Sequence, residues 1–250
     1  MTVLPVFMAT TCAQATRVTH DSRFSQSDSD CFSETENFSL KKQVLAVTTT
    51  NGGILFTAGM TIDADGAPNA YGPHNRGLDY TANARGARGW VALVTSQSGR
   101  PVIQKTGAYR GYYVSTTSLQ QSSMHDERDP KRYIDATKIP YIALPPDFAK
   151  AFDINLGDLA LVFNQANGRS AYAVFADVGP KGRIGEGSIA LAKQLGIPAD
   201  PRHDSAEDGV RYLIFPGSAL PPDRRITTRS IQSSAARLYH RWGQVHRCTR

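Results

Sequence analysis

Apolar positions along this chain come mostly in short runs broken by turn residues, and few of them form helical stripes. Gln43–Thr49 and Ile54–Ile62 are two β-prone runs separated by Asn51-Gly52-Gly53, a strong short-range hairpin signal. Ile139–Leu144 is an apolar strand stopped by Pro145-Pro146, with Asp147 expected to cap a short helix to Ala151. Leu156-Gly157-Asp158 then turns the chain into a strand at Leu159–Phe163, and Asn167-Gly168 turns it again into Ser170–Ala176. Ser188–Leu195 has the composition of a short helix, with Ser188 as N-cap, Gly196 just past its end and Pro198 as its stop. Val210–Phe215 is the last strand, and Trp90–Val94, Pro101–Gln104 and Gly111–Ser115 are further short ones. The pattern predicts a mostly β domain of α+β class, with short helices at the strand ends.

The exception is the C-terminal segment. There Ile231, Ala235, Leu238, Trp242 and Val245 recur at spacings of 4, 3, 4 and 3, one apolar face of an amphipathic helix with Arg237, Arg241 and Arg247 off it. Packing back on the domain is the expected fate of this helix; an anionic surface or nucleic acid is its rival target, and no recognised nucleic-acid fold supports the last. Charge changes the picture here. The formal net charge is +6, yet residues 223–250 alone hold seven arginines against Asp223, so the first 222 residues are neutral. The expected organisation is a flexible leader at 1–39, a domain at 40–222 closed by Pro221-Pro222, and a basic helical tail at 223–250. Ser22–Ser39, rich in Ser, Asp and Glu, reads as the linker part of that leader. Leu4–Ala9 is mildly apolar and Ala13–Ala15 resembles a cleavage region, but no Lys or Arg precedes them as in a secretory signal. Cys12, Cys31 and Cys248 lie outside the expected domain and have no metal-type spacing. No stretch approaches the roughly 18–20 apolar residues needed to span a bilayer, which excludes an integral helical membrane protein.

Candidate chemistry concentrates at the end of the Ser170–Ala176 strand. Asp177 stands at its end, Gly179, Pro180, Gly182 and Gly185 follow, and Glu186 comes nine residues after Asp177. Two carboxyl groups at the mouth of a glycine-rich loop are what acid–base hydrolysis of a glycosidic bond needs, one to protonate the leaving oxygen and one to activate water. A second acidic group, Asp63-Ala64-Asp65-Gly66, ends the second hairpin strand, where alternation would put both carboxylates on one face. It is not a calcium loop: position 12 counted from Asp63 is His74, where the liganding Glu should stand. Tyr71–Arg88 is a polar, aromatic-spotted loop, so Tyr71 and Tyr80 are candidate sugar contacts.

Residues 173–192, AVFADVGPKGRIGEGSIALA, resemble the signature block of family 75 glycoside hydrolases, the chitosanases of fungi and some bacteria. Ala176 stands where that family usually has Gly. Further blocks fall in the family's order: Thr61–Gly66, Lys138–Pro145 and Gly209–Ser218, with Thr117-Ser118-Leu119 similar to another element. The resemblance implies an inverting endo-chitosanase with Asp177 and Glu186 as the catalytic pair and a substrate-binding or supporting role for Asp63 and Asp65; Tyr71 and Tyr141 are added as expected substrate contacts. A polysaccharide partner and no cofactor are expected with it, and the protein is expected to be a secreted monomer. Asp177, on the more buried strand, is expected to be the proton donor. The order of blocks also resembles double-psi β-barrel hydrolases, which implies a six-stranded barrel of that type. The rivals are a hydrolase of peptidoglycan or another amino-sugar glycan using the same pair, and a barrel that holds glycan without cutting it.

Overall fold

A computed structural model describes residues 33–41, 43–87, 89–221 and 224–245. The three cysteines and the leader before residue 33 lie outside them. Ten strands form: β1 (Ser33–Ser39), β2 (Val44–Thr50), β3 (Gly53–Asp63), β4 (Arg85–Gly86), β5 (Gly89–Trp90), β6 (Tyr141–Leu144), β7 (Leu159–Asn164), β8 (Arg169–Val178), β9 (Glu186–Ser188) and β10 (Ser205–Phe215). The helices are α1 (Pro146–Ala151), α2 (Ile189–Leu195) and α3 (Thr228–Val245).

Six of the strands close on themselves in the order β3-β10-β7-β8-β6-β9, with β9 pairing back to β3. The expected six-stranded barrel is therefore present. Closure leaves its six strands without a free barrel edge. Two of the pairings are parallel, β6 with β8 and β3 with β9, and the rest of the ring is antiparallel. β1 and β2 form an antiparallel ribbon that extends from the first half of β3.

Local signals explain much of this. Asn51 and Gly52 both take positive φ (45° and 76°), the backbone a two-residue hairpin turn requires between β2 and β3. Along β3 the burial alternates, with Ile54, Phe56, Ala58, Met60 and Ile62 buried and Leu55, Thr57, Gly59 and Thr61 less so. The core joins this stripe to Tyr141, Ile142, Phe148, Val162, Val174, Leu191 and Ile214, all but inaccessible to solvent. Phe56 stacks on Tyr212 at 4.9 Å between ring centroids and meets Phe148 edge-on at 5.0 Å.

Some expectations shift. Ser33–Ser39, read as linker, is a strand whose register runs from Ser33 opposite Thr50 to Ser39 opposite Val44. Its polar composition hid it: the strand is almost wholly exposed, and only Phe38 turns inward, onto Phe148 and Phe152. β10 begins at Ser205, within the expected 198–209 loop, because a bulge between Ala206 and Val210 lets the polar half pair with Met60 and Thr61. The N-cap of α1 is Pro145, not Asp147. Residues 91–115 make isolated bridges in place of continuous strands.

α3 packs on the barrel over β7 and β8, the fate expected of its apolar face. Ile231 and Ala235 are fully buried, and Leu238, Tyr239 and Trp242 cover a small cluster of Leu161, Leu213 and Phe215. Trp242 Nε1 donates to the carbonyl of Thr50 at 3.0 Å, tying the helix to the β2–β3 turn. Arg229, Arg237 and Arg241 stay exposed. Ile231→Ala should therefore lower global stability by about 2–5 kcal/mol, the cost of a large-to-small change in a closed core. A single cooperative denaturation curve moved to lower denaturant would show it, and an unchanged midpoint would detach α3 from the folding unit.

Candidate active site

β6 is the narrow centre of the site. Its Ala143 is the register partner of Asp177 in β8 on one side and of Glu186 in β9 on the other. Glu186 in turn is opposite Thr61 in β3. A row of four residues, Thr61, Glu186, Ala143 and Asp177, thus crosses four strands. Two strand spacings of about 4.8 Å put the α-carbons of Asp177 and Glu186 roughly 9–10 Å apart. The register on the β8 side is made by a bulge: Ile142 pairs with Phe175 but Ala143 pairs with Asp177, so Ala176 is the extra residue. The bulge re-aims Asp177, as bulges beside functional sites commonly do.

Glycine is needed at two positions around this row. Gly185 has φ +89°, and a β-carbon on it would fall 2.3 Å from the carbonyl oxygen of Gly59; that close approach lets its own carbonyl accept from Thr61 N at 2.9 Å as β9 docks on β3. Gly179 gives up its side-chain space to Glu186, whose Oε2 would lie 2.8 Å from a β-carbon there. Ser188 ends β9 and caps α2, accepting from Leu191 N at 3.1 Å, while Gly196 closes the helix at φ +68°. The Ser188 hydroxyl also donates to Ile139 O and accepts from Tyr141 N, pinning α2 to β6.

Asp63 and Asp65 come to the same place by different means. Asp63 is the last residue of β3, but Asp65 lies in a turn beyond it, so pleat alternation does not relate them as the sequence predicts. Asp65 N donates to Asp63 Oδ1 at 2.7 Å and folds the turn back. Carboxylate oxygens of Asp63, Asp65 and Asp177 then lie within 4.8 Å of one another. That spacing is one a cation could bridge, and each of the three already has one oxygen engaged by a protein donor. We assign no ion to it. Tyr71 and Tyr141 are both buried: Tyr71 donates its hydroxyl to Asp65 Oδ1 at 2.6 Å, and Tyr141 donates to the carbonyl of Asp65 at 3.0 Å. Both hydroxyls are thus engaged by the acidic group, that of Tyr141 with Asp63 as well as Asp65.

Crowding of acids in a water-poor wall shifts their ionisation. Burial, then the charges of Glu186 and Asp177, raises Asp63 well above the usual carboxylate range. Burial and the charge of Asp63 do the same to Asp65. Glu186 is pushed up to about 7 by burial and then by the charge of Asp177, with Arg183 pulling the other way. Burial raises Asp177 too, but three hydrogen bonds to its carboxylate oppose the rise: Ser118 N (3.0 Å), Ser118 Oγ (2.6 Å) and Val178 N (2.8 Å), all to Oδ1.

Several of these partners carried no assigned role in the sequence. Ser118 is remote from Asp177 in the chain, and only its place in a Thr-Ser-Leu element marked it. Asp79, whose charge reaches Glu186, accepts from Tyr80 N and Asn83. Tyr80 stays partly exposed above it, with the Arg202 guanidinium 4.8 Å from its ring centroid; Arg202 also donates to the carbonyls of Asn75 and Gly77, strapping two loops together. A cue was available in the polar loop around Tyr80, but the partner in the 198–204 loop was not. A small pocket lined by Thr61, Pro180, Arg183, Ile184, Gly185 and Glu186 opens beside the row.

A closed barrel that gathers carboxyl groups of split acidity at one wall is equipped for acid–base hydrolysis. Residues 60–241 match the family described as fungal chitosanase of glycosyl hydrolase group 75, and the chain belongs to that family. It is accordingly a glycoside hydrolase of chitosanase type acting on polysaccharide. No curated protein matches the sequence. Among the described residues no helix is long and apolar enough to cross a membrane.

The raised acids set the pH dependence of stability. Glu186 ionises near 4.3 unfolded and about 7 folded, so its protonated form is favoured by folding. That contribution is fully present below the unfolded value and is lost as pH rises through 7. Wild type should melt several degrees lower at pH 8 than at pH 5. Glu186→Gln, which cannot ionise, should flatten this slope and melt above wild type at pH 8; identical slopes in the two proteins would contradict the burial argument.

Proposed function

We propose that the protein is an endo-chitosanase that hydrolyses β-1,4 bonds between glucosamine units with inversion, Glu186 acting as general acid and Asp177 as general base. The observation that carries this reading is the four-strand row, in which the two acids flank Ala143. A small side chain between two carboxyl groups on strands two spacings apart leaves room for a water beside the scissile bond. Inverting pairs stand ~6.5–9.5 Å apart, against ~5–5.5 Å for retaining pairs.

The assignment of roles follows from electrostatics and reverses the expectation drawn from strand burial. Asp177 is the more buried, yet its carboxylate is the one supplied with three donors. Among the described residues no such donors reach the Glu186 carboxyl, and burial together with the Asp177 charge makes it hold its proton to about pH 7. In the reaction Glu186 gives that proton to the glycosidic oxygen as the bond to the anomeric carbon breaks. Asp177 takes a proton from the water attacking the opposite face of that carbon. The products leave with Glu186 ionised and Asp177 protonated, and exchange with solvent resets both.

The acidic wall also suits the substrate. Chitosan is a polycation, and its ammonium groups, passing Asp63, Asp65, Asp79 and Asp177, would favour the ionised form that burial disfavours in each of them. Asp63 and Asp65 support the substrate side of the row, with Tyr71 and Tyr141 holding Asp65 in place. We propose that the enzyme works outside the cell as a monomer, where such a polymer is met.

Asp177→Asn and Glu186→Gln should each cut turnover on highly deacetylated chitosan by at least about 10³-fold while both proteins stay folded; activity near wild type in either would remove that residue from the pair. Proton NMR of the first products should show the α-anomer, and β-anomer would overturn inversion. Hydrolysis of peptidoglycan but not chitosan would move the assignment to that polymer. Gly179→Ala should crowd the Glu186 carboxyl and lower kcat about 10–100-fold, since small misplacements of reacting groups are costly; an unchanged kcat would mean that the carboxyl has another position open to it.

A further inference from the structure

Ser118 sits on an otherwise irregular segment that the fold fixes to the end of β8 with unusual thoroughness. Leu119 N donates to the carbonyl of Ala176, the bulged residue, at 2.8 Å. Thr117 Oγ1 donates to Leu119 O at 2.7 Å and accepts from Ile134 N at 2.9 Å, while Gly66 packs so close that a β-carbon there would meet Thr117 Cγ2 at 2.8 Å and Ile134 O at 2.2 Å. Between these anchors Ser118 N and Ser118 Oγ both point at one atom, Oδ1 of Asp177, at 3.0 and 2.6 Å. The direction of the hydroxyl proton is set as well. Val178 N donates into Ser118 Oγ at 3.3 Å, which leaves the hydroxyl hydrogen for Asp177. A 2.6 Å contact is in the range of an O–H donor on a charged oxygen.

We propose that Ser118 is the positioning residue of the general base: it clamps Oδ1 of Asp177 so that the carboxylate is held ionised and Oδ2 is presented to the attacking water. This rests on the reading of Asp177 as base. The clamp does two things. It fixes rotation of the carboxyl group about its last bond, because two donors from one rigid segment and one from Val178 converge on the same oxygen. It also offsets burial, the cause that raises Asp177, at a position faced by Asp63 and Asp65 from the end of β3 and by Glu186 from β9. Tyr141 from β6 is neutral there, and Arg183 and Asp79 act on Glu186. Without the hydroxyl, burial would draw Asp177 toward the protonated form, and the split between base and acid would narrow.

The test is a pH–rate series on chitosan for Ser118→Ala and Ser118→Thr beside wild type and Asp177→Asn, with melting temperatures for each. Ser118→Ala should lose about 10–100-fold in kcat, the range for one hydrogen bond to a charged group, with KM within about twofold. The acidic limb of its kcat profile should move to higher pH, because a hydrogen bond that lowers Asp177 is lost. Ser118→Thr, which keeps the hydroxyl, should recover most of the rate and the wild-type limb. A raised KM with unchanged kcat and profile would make Ser118 a substrate contact and overturn the proposal. A wild-type profile in Ser118→Ala with Asp177→Asn inactive would also overturn it while leaving the catalytic pair intact. Activity in Asp177→Asn would instead bring down the reading of the pair. If Ser118→Ala melts too low to assay, Ser118→Thr decides: a displaced acidic limb despite its hydroxyl would overturn the clamp.

Discussion

Strand β6 is four residues long and is held on both sides, parallel to β8 and antiparallel to β9. That double pairing is the constraint on which the site depends. It brings the end of a long hairpin strand and the start of a three-residue strand to the two flanks of one alanine. β9 is too short to be stable alone. It is placed by β3, by β6 and by α2, which starts from its last residue. Closing the barrel and assembling the pair of acids are thus the same event, and a chain that failed to dock β9 would lose both.

Closure has an electrostatic cost that the fold does not remove. Four carboxyl groups are brought together where water is scarce; burial raises all four, and neighbouring charges raise Asp63, Asp65 and Glu186 further. The structure answers with unequal hydrogen bonding. Asp177 receives amide and hydroxyl donors, Asp65 receives the Tyr71 hydroxyl, and Asp63 takes the amide of Asp65, whereas Glu186 faces burial with Arg183 as the opposing charge. Inequality among the four is the useful result, because hydrolysis by two carboxyl groups needs one that keeps its proton and one that does not.

How much of this was legible in the sequence follows the range of the interaction. Asn51-Gly52, Asn167-Gly168, Ser188 and Gly196 act within a few residues, and the elements they begin or end are where the pattern puts them. The local setting of Asp177 and Glu186 was legible because strand, glycine loop and helix cap lie in one continuous stretch. The bulge at Ala176, the return of β9 to β3 and the contact from Ser118 depend on residues brought from elsewhere, and no local signal marks them. β1 escaped for another reason. Its seven residues are polar because an edge ribbon buries little, and composition then argues for linker even though Phe38 is packed.

The amphipathic tail shows the same rule from the opposite side. Its 3.6-residue period fixed the helix and its buried face, but the basic residues could have signalled an anionic partner as easily as a solvated surface. Burial decides between face and partner: Ile231 and Ala235 are lost to solvent against β7 and β8, so the arginines are simply what remains outside. The positive charge of the chain therefore sits on the outer surface of α3, while the acids are gathered in the row that β6 organises. If the row is the proposed site for a polycation, this separation is productive, because the net charge that would repel the polymer is kept off the wall proposed to bind it.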